Sequence, residues 1–253
     1  MICGVKFFMD QIKNQIELIE AKAAYLSSCL PVMCPNYPKE RACDGFDRFI
    51  LVFSRSLKRY CYFLKLLLNT IDSETSKIID KDFNNEQEFM SVISDDIFFI
   101  FDAYLFSCKS LFEKNIYLSN NNISGDLATK LVVIGKDYNK GLFHKILGFM
   151  RNEVTHVNAY GSSIGSMIHI KNTASELNYS IPTEFTDDKN KRLCLIVISS
   201  NIWQLAQPII SDIFDIICTE TIRRYGVPSK DTEYHWGESS VKLSDFKYNE
   251  QKT

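Results

Sequence analysis

The sequence predicts a mainly α protein, a bundle of long helices interrupted by one short β-hairpin. Three observations predict it. Gly and Pro are scarce, ten and six in 253 residues, which favours long helices over many short strands joined by turns. Apolar residues recur at three- and four-residue steps through several long stretches, the signature of amphipathic helices. The region around 164–183 shows the two-residue alternation of strands. The length leaves ample material for a core. We read one domain over 1–226, with the hairpin as an insertion at about 164–183, followed by a polar tail at 227–253 that is expected to be loose.

Taken in order, residues 5–28 form a first helix, with Phe8, Ile12, Ile16, Ile19 and Ala23 along its apolar stripe. Pro31, Pro35 and Pro38 are expected to end it. A second helix covers about 40–71. Phe49, Ile50, Phe53, Leu57, Tyr60, Leu64, Leu67 and Leu68 make its broad apolar face, and Arg48, Arg55, Lys58, Arg59 and Lys65 decorate the rest. Those cations read either as a solvated face or as a track for an RNA backbone. After a polar stretch at 72–84, a third helix spans about 85–118. Asp102 sits there among apolar neighbours, either as a satisfied core acid or as a group that orients another side chain. Residues 119–126 read as a turn, and 127–135 fit a short helix or a strand. Beyond the central stretch discussed below, two strands with a turn near 172–175 make the hairpin, and a last long helix runs over about 188–225. Arg223, Arg224 and Gly226 close it, and Pro208 is positioned to kink it.

Composition narrows the functional classes. Hydrophobic residues are 45% and charged residues 24%, the profile of an ordinary globular protein. The net charge of −2 provides no global basic field, so any nucleic-acid surface must be local. The N-terminus, MICGVKFFMDQ, lacks the pattern of a signal peptide. The most apolar stretch, 193–218, is interrupted by Asn201, Gln204, Gln207, Pro208 and Asp212. It reads as a buried helix and not as a membrane span. The eight cysteines form no CxxC pair. Cys29, Cys34 and Cys43 cluster without a nearby His, at a spacing unlike that of the usual zinc sites. Reduced thiols in a cytoplasmic protein are the expectation. There is no P-loop, GxGxxG or HExxH, so neither a cofactor nor a metal is expected.

The chemistry concentrates in Leu142 to Tyr160, LFHKILGFMRNEVTHVNAY. Leu142, Phe143, Ile146, Leu147, Phe149 and Met150 form a helical stripe. Where it runs out stand Arg151, Asn152, Glu153 and His156. Asn152 and His156 are four apart and share a helix face. Arg151 and His156 are five apart and diverge by roughly 140° on an ideal helix. They meet one phosphate only if the Arg curls round, the helix breaks near Thr155, or a second copy completes the site. The plain structural alternative has Arg151 and Glu153 pairing with surface charges and His156 capping the helix end.

Arg151-Asn-Glu-Val-Thr-His156 resembles the R-x4-H motif of the HEPN superfamily, helical domains of many prokaryotic ribonucleases and toxins. The resemblance is specific over about twenty residues and architectural over the rest. It implies a HEPN-like helical bundle and a homodimer whose motifs face each other. The implied activity is metal-independent RNA cleavage in a toxin, phage-defence or stress-response setting, with an antitoxin or defence protein as a possible partner. Some members of the superfamily only bind, so a silent module that holds a nucleotide, RNA or protein is the second expectation. The residue types suit cleavage. An imidazole titrates near neutrality, a guanidinium matches phosphate oxygens, and Asn152 can donate to phosphate or hold the imidazole. Arg151, His156 and Asn152 are therefore the expected catalytic residues, with Asp102, Glu153, His144 and Tyr160 in support. One departure concerns Tyr160. HEPN toxins paired with nucleotidyltransferase antitoxins often carry R-x4-H-x-Y, whereas here Asn158 holds the position two after His156.

Overall fold

The computed structural model describes residues 2–38, 45–78, 96–122, 126–140, 169–173, 176–182 and 192–248. The architecture is mainly α, as the periodicity predicts. The expected helix at the start of 142–160 lies outside the described residues.

Helix α1, Ile2–Ala24, runs directly into a π-helical turn, Tyr25–Cys29, and a short helix α2, Leu30–Met33. Pro31 therefore does not end the helical path, contrary to the sequence expectation. The wide turn lets the Leu30 N–H reach back to the Tyr25 carbonyl, and Pro31 then falls in the first turn of α2, where a missing N–H is harmless. The path ends at Cys34, which takes an extended conformation (ψ 135°), as a residue before proline prefers.

Helix α3 spans Gly45–Ile78 and α4 Asp96–Asn122. The two form the most extensive helix pair of the described residues. The apolar positions Phe49, Phe53, Leu57, Tyr60, Leu64, Leu67 and Ile71 of α3 are all buried, which confirms the three- and four-residue spacing. Helix α5, Asp126–Lys140, packs on α4 and settles the open choice at 127–135 in favour of a helix.

Strands β1, His169–Thr173, and β2, Glu176–Pro182, pair antiparallel from His169↔Ser180 to Thr173↔Glu176, which is the expected hairpin. A third strand, β3 at Arg192–Cys194, continues the sheet by pairing Cys194 with Ser180. It delays the last helix, α6, to Leu195–Tyr225, later than the expected start near 188. Pro208 lies inside α6. The helix ends on Gly226, whose φ of +83° only glycine adopts without strain. The Gly226 N–H returns to the Ile222 carbonyl at 2.8 Å, the left-handed cap that ends many helices. The Asn36 N–H then donates to the Tyr225 carbonyl at 2.9 Å, tying the end of α6 to the chain after α2.

The segment beyond Gly226 is not the loose tail that its polarity suggests. Strands β4, Tyr234–Trp236, and β5, Ser239–Val241, form a tight hairpin, with Gly237 at φ +58° in the two-residue turn. A 3₁₀ turn follows at Leu243–Asp245. Val241, Leu243 and Phe246 are buried, and both strands lie against α1. Phe246 stacks on Tyr25 at 5.6 Å, and Lys22 donates to the Asp245 carbonyl. Three apolar side chains spaced among polar ones are enough to anchor the segment, although they are too few to show as a hydrophobic run.

The core centres on an aromatic stack that joins three helices. Tyr60 of α3 lies between Tyr104 of α4 (5.5 Å) and Trp203 of α6 (6.0 Å), and all three are fully buried. Their polar atoms are accounted for: Tyr104 donates to the Ser199 carbonyl at 3.3 Å, and the Trp203 indole donates to Gln15 of α1 at 2.8 Å. The stack therefore also ties α1 to α6.

Candidate functional site

Of the residues singled out from the sequence, Arg151, Asn152, Glu153, His156, His144 and Tyr160 lie outside the described residues. Asp102 is described. It sits on α4 at 8% exposure, one turn from Phe99 and one from Phe106, both exposed. Among the described residues its buried Oδ1 has no hydrogen-bond partner. Burial pushes its carboxyl up to about 6, because a low-dielectric surround disfavours the charged form. A carboxyl poised near neutrality with a bare oxygen is not a satisfied core acid. It is able to accept a proton or to hold a donor brought to it.

A second feature was not anticipated as a unit. A cleft of about 250 Å³ opens between the π turn, the middle of α3 and the β4–β5 hairpin. Ser27 and Ser28 come from the π turn, Arg55 and Lys58 from α3, and Tyr234 and Trp236 from β4. Each placement follows from local structure. The π turn widens the helix, as such bulges do at many functional sites. Arg55 and Lys58 lie on the face of α3 opposite the buried stripe. Tyr234 and Trp236 are two apart on one strand and so share its face. Their rings lie at 6.5 Å and 25°, and Tyr25 meets Tyr234 edge-on from beneath at 6.4 Å. Trp236 keeps 37% of its surface exposed.

The electrostatics are uneven. Arg48, Arg55, Lys58 and Arg59 are exposed, and among the described residues none of them forms an ion pair. Lys65 differs: it binds Glu20 at 2.7 Å, so the basic face that the sequence suggested stops short of it. Glu20 also lines the cleft, with its charge matched by Lys65. Among the described residues the cleft thus offers two cations without ion pairs and an aromatic pair, over a largely apolar lining that includes Ala23, Ala24, Leu51 and Leu57.

The cysteine cluster has a different character. The Cys34 thiol donates to the Leu30 carbonyl at 3.2 Å, and burial pushes it up to about 11, so it is held as a thiol. Cys43 lies outside the described residues. Among the described residues no three His, Cys, Asp or Glu side chains converge as metal ligands, and no helix is long and apolar enough to cross a membrane.

The polarity of residues 227–253 hides the contributions of Tyr234 and Trp236 from a reading of the sequence. A signal was present: Tyr-His-Trp alternates, and Gly237 follows directly, which is a short hairpin pattern. Compared with known proteins, the chain matches no family model, no curated protein and no solved structure.

Proposed function

We propose that the chain is a metal-independent, HEPN-like endoribonuclease that works as a homodimer in a toxin, phage-defence or stress-response role. The observation that carries the reading is the Arg151-x4-His156 motif at the end of an apolar helical stripe, in a chain that is otherwise mainly helical. The exposed cations of α3 support an RNA substrate, since Arg48, Arg55 and Arg59 recur at seven and four residues along one face.

The reaction is a transesterification. One His156 removes the proton from a ribose 2′-hydroxyl, and the 2′-oxygen attacks the adjacent phosphorus. Arg151 stabilises the charge that builds on the phosphorane oxygens, and Asn152 donates to the same oxygens or holds the imidazole. The bond to the 5′-oxygen breaks, and that oxygen takes a proton from the partner copy's imidazole, which enters the step protonated. The products are a 2′,3′-cyclic phosphate and a 5′-hydroxyl, and no metal enters the balance. Asp102, Glu153, His144 and Tyr160 are proposed to support this centre by orienting it.

The test is cleavage of generic single-stranded RNA by the wild type, Arg151→Ala and His156→Ala, with and without EDTA. Cleavage that resists EDTA and falls by at least about 100-fold in either variant is expected. Activity that vanishes with chelator and returns with Mg²⁺ refutes the mechanism. The second reading is a silent module that binds RNA or a nucleotide. The cleft favours it, because its lining has stacking and phosphate-binding groups but no histidine. A wild type that binds RNA and never cuts it selects this reading.

A further inference from the structure

We propose that the cleft between the π turn, α3 and the β4–β5 hairpin binds a single nucleotide. The base stacks on Trp236, and the phosphate sits on Arg55 and Lys58. Four observations converge on this ligand. Trp236 is partly exposed beside Tyr234 on the same face, and the buried rings of Tyr25 and Phe246 support Tyr234 in turn. An aromatic ring held open on a rigid support is a stacking platform for any base. Arg55 and Lys58, exposed and without ion pairs among the described residues, line the same cleft from α3, where a dianion replaces water at both cations. Ser27 and Ser28 also line the cleft; Ser27 donates to the Ala24 carbonyl and the two hydroxyls bond each other, so what they offer a base edge is acceptor capacity. Finally, the volume of about 250 Å³ lies just under the roughly 300 Å³ at which pockets begin to enclose drug-sized ligands, which leaves room for a base.

The acid in the cleft does not oppose this assignment. Glu20 is held by Lys65 at 2.7 Å, so its negative charge is matched before a phosphate arrives. The proposal concerns binding alone and is independent of the chemistry assigned to Arg151 and His156.

The same chemistry has two sources, a free mononucleotide or one nucleotide of a single-stranded RNA. Calorimetric titration with AMP and with a 2′-O-methyl oligoadenylate separates them. The second probe lacks the attacking hydroxyl and survives any nuclease activity. Binding should quench the fluorescence of Trp236, while Trp203, fully buried, supplies a constant background. Trp236→Ala and the pair Arg55→Glu with Lys58→Glu should each weaken binding at least tenfold. All three positions are exposed, so circular dichroism should match the wild type. Binding of AMP alone identifies a free nucleotide as the ligand, and binding of the oligonucleotide alone identifies a strand. No binding of either probe at about 1 mM, where even weak complexes form, overturns the proposal. Equal affinities in the wild type and both variants overturn it as well.

Discussion

Replacing Asp102 with Asn should stabilise the protein, and by an amount that depends on pH. The folded chain holds this carboxyl at about 6 against an ordinary 3.8. A raised acid pKa means that the native state binds the proton more tightly than the unfolded state. Ionisation therefore opposes folding above the folded pKa, and the penalty is relieved as pH falls through 6 towards 4. Each tenfold change in acid dissociation corresponds to about 1.36 kcal/mol, so at pH 7.5 the penalty is about 3 kcal/mol. At pH 4.5 the unfolded chain is itself partly protonated, and about 1 kcal/mol remains. The amide of Asn is close in shape to the carboxyl and never ionises. Asp102→Asn is thus expected to gain up to about 3 kcal/mol at pH 7.5, less what the amide N–H groups cost on burial, or a rise in Tm of at most roughly 6–12 °C for a chain of this size, and the gain should shrink by about 2 kcal/mol at pH 4.5. Urea unfolding followed by the fluorescence of buried Trp203, at both pH values, measures the difference. A variant no more stable than the wild type at pH 7.5, or a gain that does not shrink at pH 4.5, would refute the claim that an uncompensated carboxylate is buried on α4.

Three further predictions concern the packing of the fold. Gly226→Ala should cost about 1–2 kcal/mol from the left-handed backbone alone, and more because the added carbon lies 3.0 Å from Pro35 Cγ; thermal denaturation reads it. Phe246→Ala should cost about 3–5 kcal/mol, since Phe246 is 5% exposed and stacked on Tyr25, whereas a loose tail would make the change silent. Cys34, Cys61, Cys108 and Cys218 are buried, and burial raises the pKa of each, to about 11 for Cys34 and about 12 for Cys218. They should resist alkylation at pH 8 until urea unfolds the chain, as mass spectrometry after a timed iodoacetamide pulse would show; rapid native labelling of Cys34 contradicts its place in the core.

The sequence revealed the elements that a single physical period governs. Helix α3 was legible because one face from Phe49 to Leu68 is apolar at every turn, and β1 and β2 because their alternation is bounded by turn residues. Boundaries were less legible. Pro31 looked like a stop, and only the preceding π turn makes it a continuation. Nothing local announces a π turn, because its extra residue is stabilised by what packs around it. Cys194 ends a strand and Leu195 opens a helix within one apolar run, and the switch is decided by β2 alongside. Asp102 could be singled out as an acid among apolar neighbours, but whether it had a partner is a three-dimensional fact. The cleft was the least legible part, since it assembles positions near 27, 55 and 235 that no spacing relates. The Arg151 and His156 motif was the most legible, being contiguous, and it remains a proposal to be tested by cleavage.

The joining of Lys22 to Asp245 and of Gln15 to Trp203 has a consequence for biosynthesis. Translation at about 5–20 residues per second leaves Tyr25 waiting on the order of 10–40 s for Phe246. Until then the wall carrying Trp236 does not exist. A ribosome-bound chain short of that point has no completed cleft, so any ligand of that cleft could be held only once the polypeptide has been synthesised through the β4–β5 hairpin and Phe246.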